Sequence, residues 1–236
     1  MTIVDGAPSM SEPVLEARGV SAGYGSVPAI QGINLVVRRG ELVTLLGANG
    51  AGKTTTLLTL AGVIKQSAGD VLIGGSVTRA PLDQRARMGL GLIVEGRSVF
   101  TRLSTRDNLR VGSGSIREAV DLFPVLEPLL GRRAGLLSGG EQQMLSLARA
   151  LIQRPKVLLA DELSLGLAPL VVKRLLQILR RVADSGAGVL MTEQHAALAL
   201  SISDRAYVMQ RGSVVLESSG QNLLDRIDTV QRTYLS

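Results

Sequence analysis

The sequence predicts an α/β domain with a mostly helical insertion, and three observations carry this prediction. The segment KVLLADE is continuously apolar before its acidic end, which is typical of a buried strand in a parallel sheet. The glycine-rich turn GANGAGKT separates a predicted strand from a predicted helix. Between residues 82 and 154 the pattern changes to helical spacing that proline and glycine interrupt.

Strands and turns predominate in the first third of the chain. We expect residues 1–12 to form a flexible tail and residues 13–236 to form one domain. Helical spacing predicts a short helix at residues 54–64. Alternating apolar and polar positions predict strands in VLEARGVSAGYG and AIQGINLVVRRGELVTLLG, and a hairpin in AGDVLIGGSV.

Helices dominate the predicted insertion, which we place at about residues 95–150, and strands return after it. Within the insertion, helical spacing is seen in SIREAVDLFPVLEPLL and GEQQMLSLARALIQR. After the strand KVLLADE, the pattern predicts a helix in APLVVKRLLQILRRVADSG, strands in AGVLMTEQH and RAYVMQRGSVVLES, and a short C-terminal helix.

Composition narrows the possible classes of protein. With 45% hydrophobic and 19% charged residues the chain can bury a core, and it lacks the cysteines that disulfides and thiolate metal sites need. No run approaches the ~18 apolar residues of a membrane-spanning helix, and the N-terminus lacks the pattern of a secretory signal. We therefore expect a soluble or peripheral protein.

The net charge of +6 leaves three kinds of partner open: nucleic acid, an anionic membrane surface, or small anionic ligands on a solvated basic face. No basic run with interleaved aromatic residues occurs, which weakens the nucleic-acid interpretation.

The turn from Gly47 to Thr54 matches the pattern G-x-x-x-x-G-K-[ST] of a phosphate-binding loop, or P-loop. Its glycines let successive backbone N–H groups point at phosphate oxygens, and the following helix adds its positive N-terminal dipole. Lys53 is placed to reach the β- and γ-phosphates, and the Thr54 hydroxyl to hold Mg²⁺. The predicted nucleotide contacts are Gly47, Asn49, Gly50, Ala51, Gly52, Lys53 and Thr54.

The strand VLLADE ends in two acids, Asp161 and Glu162. Taken alone, they would be interpreted as surface acids at a strand end. Together with the P-loop, they indicate that Asp161 meets Mg²⁺ and that Glu162 is the general base for the attacking water.

The segment LSGGEQQ, with an S-x-x-E capping box formed by Ser138 and Glu141, opens a predicted helix. Between a P-loop and VLLADE, this segment resembles the signature of the ATP-binding cassette family, and the resemblance covers about residues 14–236. The resemblance implies a P-loop NTPase core with an antiparallel β subdomain and an inserted helical subdomain. It also implies that two cassettes face head to tail, with Ser138, Gly139 and Gly140 at the γ-phosphate of ATP bound to the partner.

Further positions are carried over from the family one at a time. Tyr24 lies where an aromatic residue stacks on adenine, although it is also interpretable as an ordinary strand tyrosine. Thr55 resembles a second hydroxyl that contacts phosphate. Glu95 stands where a metal-contacting Gln is usual, and its carboxylate can still touch Mg²⁺ through oxygen.

Three residues depart from the usual family pattern. Leu163 replaces the proline that usually follows the catalytic glutamate, and we expect the chain past the site to be less restrained. Val94 stands where proline is frequent. Ala168 replaces an aspartate that couples the two cassettes, so we expect that coupling to be absent or rerouted.

The lone histidine, His195, is a candidate for the family's switch residue, which contacts the γ-phosphate. In the family the switch lies ten positions before the Asp of a small-residue–Asp–Arg segment. Here that segment is Ser203-Asp204-Arg205, which indicates Gln194 instead. Neighbouring side chains at a strand end point to opposite sides, so Gln194 is predicted to contact the phosphate and His195 is the alternative.

The motifs GANGAGKTTTL, EGRSVF, LSGGEQQML and SLGLAP look like the shorter ATPase subunit of branched-chain amino-acid importers, although related cassettes serve amides or urea. This resemblance implies an ATPase bound to the cytoplasmic face of the membrane. Its implied partners are transmembrane permease subunits, a second identical or related ATPase subunit and a possible extracytoplasmic solute-binding protein. No nucleic-acid partner is implied.

Two other functions were weighed against transport. A soluble cassette ATPase acting on nucleic acid or ribosomes is the main alternative, but the chain has neither a long coiled-coil insertion nor a second cassette. Asp161 and Glu162 argue against an interaction protein that binds nucleotide without hydrolysing it.

Overall fold

The computed structural model describes residues 11–94, 98–112, 114–164, 166–193 and 195–227. Its strands are β1 (Pro13–Tyr24), β2 (Val27–Arg38), β3 (Leu42–Leu46), β4 (Ala68–Ile73), β5 (Ser76–Thr78), β6 (Leu90–Ile93), β7 (Val157–Asp161), β8 (Gly188–Thr192), β9 (Arg205–Gln210) and β10 (Ser213–Ser219). Its α-helices are α1 (Lys53–Ala61), α2 (Leu82–Arg87), α3 (Thr105–Arg110), α4 (Ile116–Leu122), α5 (Gly139–Leu151), α6 (Pro169–Asp184), α7 (Ala196–Leu200) and α8 (Gly220–Leu224).

A six-stranded sheet in the order β10-β9-β3-β8-β7-β6 positions the site. Strands β3, β6, β7, β8 and β9 run parallel, and β10 is antiparallel to β9. Every residue of β3, β7 and β8 is buried, as expected for central strands of a parallel sheet that is covered on both faces. The carboxyl ends of these three strands therefore meet at one edge.

A second, antiparallel sheet has the order β2-β1-β4-β5, and its β4–β5 pair confirms the hairpin predicted in AGDVLIGGSV. Arg205 on β9 ties the two sheets together. Its guanidinium donates hydrogen bonds to the Val36 carbonyl of β2 at 2.6 Å and to the Glu41 carboxylate at 2.8 Å. The Tyr207 hydroxyl accepts from the Val36 N–H at 3.0 Å, so β9 is fixed against β2 at neighbouring points.

Helices α3, α4 and α5 lie between β6 and β7 in the chain, and two short 3₁₀ segments separate α4 from α5. The buried apolar side chains of this region, among them Leu109, Phe123, Leu126 and Leu145, belong to the same core cluster as Leu176 of α6. Together the two sheets and this helical region confirm the predicted fold class of an α/β core with an antiparallel β part and an inserted helical part.

The structure adds a strand to residues 82–154, a segment for which the sequence pattern predicts mostly helical spacing. Strand β6 lies inside that segment, at the edge of the parallel sheet beside β7. A four-residue apolar run such as LGLI is too short for periodicity to distinguish strand from helix. Helix α7 was also missed, because it spans less than two helical turns.

No helix among the described residues is long and apolar enough to cross a membrane.

Arg85 of α2 is 1% exposed and holds the end of α1 in place. Its guanidinium donates to the carbonyls of Leu60 at 2.6 Å, Ala80 at 2.7 Å and Thr59 at 3.0 Å, and burial lowers its pKa. Two of these hydrogen bonds reach carbonyls in the last turn of α1, and the Thr59 carbonyl also accepts from the Gly62 N–H at 3.0 Å.

We expect Arg85→Ala to lower the free energy of unfolding by about 3 kcal/mol, because it removes a buried guanidinium and its hydrogen bonds to three carbonyls. Arg87→Ala is the matched control, since the Arg87 side chain on the same helix is 80% exposed. The control is expected to change stability by less than about 0.5 kcal/mol. Urea unfolding of the three proteins measures both values, and equal effects of the two substitutions would contradict the role of Arg85.

Candidate functional site

The turn between β3 and α1 requires glycine at two positions. Gly52 adopts φ 100°, and a Cβ there would lie 2.8 Å from Ile30 Cγ2. A Cβ on Gly47 would lie 2.6 Å from the Met209 carbonyl oxygen. Because both positions exclude a side chain, the chain curls tightly into the N-terminus of α1, as a phosphate-binding loop does.

Lys53, the first residue of α1, is 4% exposed. Its Nζ donates to the carbonyl oxygens of Gly47 at 2.9 Å and Ala48 at 3.2 Å. It also lies 3.4 Å from Glu162 Oε1. The two carbonyls and the carboxylate offset the cost of burying this ammonium group, and they hold it inside the turn.

Asp161 ends β7 and is 1% exposed. Its Oδ1 accepts hydrogen bonds from Thr192 Oγ1 at 2.7 Å and from Thr54 Oγ1 at 3.2 Å. Its Oδ2 is buried and has no hydrogen-bond partner among the described residues. A buried carboxylate oxygen with free lone pairs, close to a threonine hydroxyl, is the kind of oxygen donor that Mg²⁺ takes in proteins.

The donor set fits Mg²⁺ bound together with a phosphate ligand. The described residues contain no group of three or more His, Cys, Asp or Glu side chains that could hold a metal ion by themselves. Mg²⁺ is usually held by one or two protein oxygens, with water and substrate phosphates supplying the other ligands. Thr54 and Asp161 match that arrangement.

Glu162 follows β7 in a left-handed conformation with φ 43°. A residue other than glycine costs on the order of 1 kcal/mol or more there, and such strain concentrates at functional sites. The Glu162 N–H donates to Thr192 Oγ1 at 3.0 Å and lies 3.2 Å from the Thr192 carbonyl oxygen. These contacts hold the backbone in the strained conformation.

A pocket of about 650 Å³ opens over the P-loop and brings seven of the sixteen predicted site residues together. The P-loop and the start of α1 supply most of its lining, together with Glu162, the start of β2 and the turn between β9 and β10. The lining residues are Asn49, Gly50, Gly52, Lys53, Thr54, Thr55, Glu162, Pro28, Ala29, Arg211 and Gly212. Gly47 and Ala51 lie in the same turn, and both accept hydrogen bonds through their carbonyl oxygens.

Other predicted site residues do not line this pocket. Tyr24 lies at the end of β1, is 59% exposed, and is followed at the start of β2 by the pocket residues Pro28 and Ala29. Ser138 and the glycines Gly139 and Gly140 form the N-terminus of α5, and Ser138 is exposed.

The capping box predicted at the start of α5 is confirmed. Glu141 Oε2 accepts from the Ser138 N–H at 2.6 Å, and the Glu141 N–H donates to Ser138 Oγ at 3.4 Å. An exposed helix N-terminus outside the pocket of its own chain is free to serve a site on another chain.

Two predicted residues, Glu95 and Gln194, lie outside the described residues. His195 is described, is exposed, and directly precedes α7. The choice of Gln194 over His195 as the phosphate contact therefore stays a prediction.

The sequence reasoning missed a group of polar residues at the end of β8. Thr192 is fully buried and bonds Asp161, and Glu193 is 2% exposed. Burial raises the pKa of the Glu193 carboxyl, and hydrogen bonds from Ser164 oppose the shift. The signal was the polar sequence TEQ at the end of an apolar strand, of which only the third residue was given a role.

The family model for the ABC transporter matches residues 30–164, which is more than half of the 236-residue chain. The chain belongs to the ABC transporter family. The matched segment contains the P-loop, the LSGGEQQ segment and the acidic end of β7. As an ABC family member the chain is an ATPase, and ATP is its substrate.

Curated ABC relatives match nearly the whole chain. The high-affinity branched-chain amino acid transport ATP-binding protein BraG of Pseudomonas aeruginosa is 40% identical, over 87% of this chain and 92% of that protein. The lipopolysaccharide export system ATP-binding protein LptB of Escherichia coli is 33% identical, over 94% of this chain and 96% of that protein. The similarity to BraG confirms the resemblance that the sequence motifs predicted.

Solved ABC structures share the fold. An ATP-binding subunit of an ABC transporter is 25% identical with a TM-score of 0.81, over 94% of this chain and 100% of that chain. The ADP conformation of MJ1267, an ATP-binding cassette of an ABC transporter, is 21% identical with a TM-score of 0.82, over 94% and 99% of the two chains. The chain is thus the ATP-binding subunit of a transporter.

Proposed function

We propose that the chain hydrolyses ATP to drive an importer of branched-chain amino acids or a related small polar solute. The observation that carries the chemistry is the convergence of Lys53, Asp161 and Glu162 beside one pocket at the carboxyl edge of the parallel sheet. The observation that supports the proposed solute is the 40% identity to BraG over 87% of this chain.

In this proposal the P-loop binds the phosphates of ATP. Backbone N–H groups from Gly47 to Thr54 and the dipole of α1 attract the anion, and the Lys53 ammonium offsets the charge of the β- and γ-phosphates. The Thr55 hydroxyl adds a phosphate contact. Tyr24 stacks on adenine, and its exposed ring at the end of β1 leaves a face for the base.

Thr54, Asp161 and Glu95 would hold Mg²⁺, which when bound neutralises charge on the phosphates as the terminal phosphoryl group leaves. The support for this assignment is the buried Asp161 Oδ2, which lacks a hydrogen-bond partner among the described residues. Without a cation or a donor, that oxygen pays for desolvation without compensation.

Glu162 acts as the general base that takes a proton from the attacking water, and Gln194 donates a hydrogen bond to the γ-phosphate. Ser138, Gly139 and Gly140 bind the γ-phosphate of ATP held by a second ATPase subunit, so each site draws on two chains. The exposed N-terminus of α5, outside the pocket of its own chain, supports this arrangement.

The proposed complex lies at the cytoplasmic face of the membrane. This chain and a second ATPase subunit, either another copy or a related chain, bind transmembrane permease subunits. An extracytoplasmic protein is the proposed source of the solute, and nucleic acid is not a partner. A cassette that drives lipopolysaccharide export is the competing function, supported by 33% identity to LptB over 94% of this chain.

Uptake of radiolabelled leucine by cells that lack this gene tests the proposed solute. We expect the deletion to lower uptake, wild-type chain to restore it, and Glu162→Gln to leave it low at equal protein level. Uptake of labelled urea and of an unrelated sugar provides the controls. Unchanged leucine uptake, accompanied by loss of lipopolysaccharide from the cell surface, would replace the importer with an exporter.

A further inference from the structure

Hydrogen bonds join the segment that follows β7 to the segment that follows β8. The Glu162 N–H donates to Thr192 Oγ1 at 3.0 Å. Two residues further on, the Ser164 N–H donates to Glu193 Oε1 at 3.2 Å, and the Ser164 hydroxyl donates to Glu193 Oε2. The two bonds from Ser164 take both oxygens of one carboxylate, so the segment is held at more than one point.

The Glu193 carboxylate is buried, so it needs hydrogen-bond donors to offset the loss of water. It is 2% exposed and lies one residue beyond the Asp161–Thr192 pair of neighbouring strands β7 and β8. Burying a carboxylate costs several kcal/mol unless donors reach it. Ser164, which is 5% exposed, supplies those donors through its backbone and its side chain.

The segment between these contacts needs an external restraint. Glu162 has φ 43°, and Leu163 follows it without the fixed φ that a proline would impose. A strained backbone conformation persists only where its surroundings fix it. Leu163 is itself buried at 2% exposure, but apolar packing restrains the direction of a chain less specifically than paired hydrogen bonds do.

We propose that Glu193 is a positioning residue: by accepting both hydrogen bonds from Ser164, it holds the chain after β7 so that the Glu162 carboxylate faces the nucleotide pocket. The proposal rests on the proposed role of Glu162 in hydrolysis. Glu193 does not line the pocket. Its effect is therefore on the geometry of the base and not on contacts with ATP.

Steady-state ATP hydrolysis by the purified full chain, with Mg²⁺, tests the proposal through the separation of kcat from KM. We expect Glu193→Ala to lower kcat about tenfold or more, because small displacements of a catalytic group have large effects on rate. We expect KM for ATP to change less than about twofold, because the pocket contacts of Lys53 and Thr54 are intact.

Conservative and paired substitutions distinguish positioning from loss of fold. Glu193→Gln keeps an oxygen for the Ser164 N–H and an amide for its hydroxyl, so kcat is expected within about threefold of the parent. Ser164→Ala is expected to lower kcat about threefold. The double variant Glu193→Ala, Ser164→Ala is expected to match Glu193→Ala alone, because the two residues act as one unit.

Glu41→Ala is the matched control for stability. Glu41 is also a mostly buried carboxylate, but it precedes β3 at the opposite edge of the sheet and pairs with Arg205. We expect it to lower the melting temperature while kcat of the folded protein stays at the parent value.

A kcat of Glu193→Ala equal to that of the parent would overturn the proposal. So would a kcat of Glu193→Gln as low as that of Glu193→Ala. Should Glu193→Ala fail to fold, Ser164→Ala decides alone, and parent kcat in that variant overturns the proposal. Failure of the proposed site is recognised separately, since Glu162→Gln would then hydrolyse ATP at the parent rate.

Discussion

Lys53→Ala is expected to weaken ATP binding by about 10- to 100-fold, because charge-assisted hydrogen bonds to phosphate are worth about 1.5–3 kcal/mol. The Lys53 ammonium is buried, and it lies 3.4 Å from Glu162 Oε1. Its removal takes positive charge from the place where phosphate charge develops, so we expect kcat/KM to fall by about 1,000-fold or more. Calorimetric titration with ATP and a phosphate-release assay measure the two effects.

Lys65→Ala is the control for that substitution. Lys65 lies just beyond α1, on the same short segment, but its side chain is exposed. The Lys65→Ala variant is expected to bind and hydrolyse ATP like the parent. That result would exclude a general effect of the lower net charge on ATP binding. Parent affinity in Lys53→Ala would contradict the assignment of the P-loop pocket to ATP.

Glu162→Gln is expected to bind ATP with an affinity within a few-fold of the parent and to lower kcat by about 100- to 10,000-fold, the usual contribution of a general base. The amide has nearly the shape of the carboxylate and keeps the backbone hydrogen bond to Thr192, so the pocket stays in place. What is lost is the ability to take a proton from water.

Glu127→Gln provides the matched control, because it makes the same chemical change on an exposed residue of the helical region. It is expected to leave kcat unchanged in the phosphate-release assay. A kcat for Glu162→Gln within about twofold of the parent would remove Glu162 as the base. We also expect Glu162→Gln to accumulate as an ATP-bound dimer, because the bound nucleotide is not consumed.

Local signals in the sequence were sufficient to predict the P-loop, the acidic end of β7 and the capping box of α5. Each depends on interactions within a few residues. The P-loop glycines are required by their positive φ and by atoms too close for a Cβ, and Ser138 caps α5 through hydrogen bonds with Glu141. The resemblance to a known family then supplied roles that a single sequence does not contain, such as those of Tyr24 and Ser138.

The order of strands could not be predicted from the sequence. Strand β8 lies between β3 and β7, although it follows both in the chain. This placement brings Thr192 against Asp161 and Glu193 against Ser164, contacts that span about 30 residues of sequence. Pairing between distant segments depends on the whole sheet, so the sequence assigned a role to Gln194 but none to its neighbours Thr192 and Glu193.

The hydrolysis of ATP by this chain with Glu162 as its base is tested most directly by a single-turnover measurement. Enzyme in excess is mixed with radiolabelled ATP and Mg²⁺, and the conversion of bound ATP to ADP is followed for parent and Glu162→Gln. We expect the parent to convert its bound ATP, while the variant retains bound ATP intact for at least about 100 times longer. Conversion of bound ATP by Glu162→Gln at the parent rate would contradict the role of Glu162 as the base.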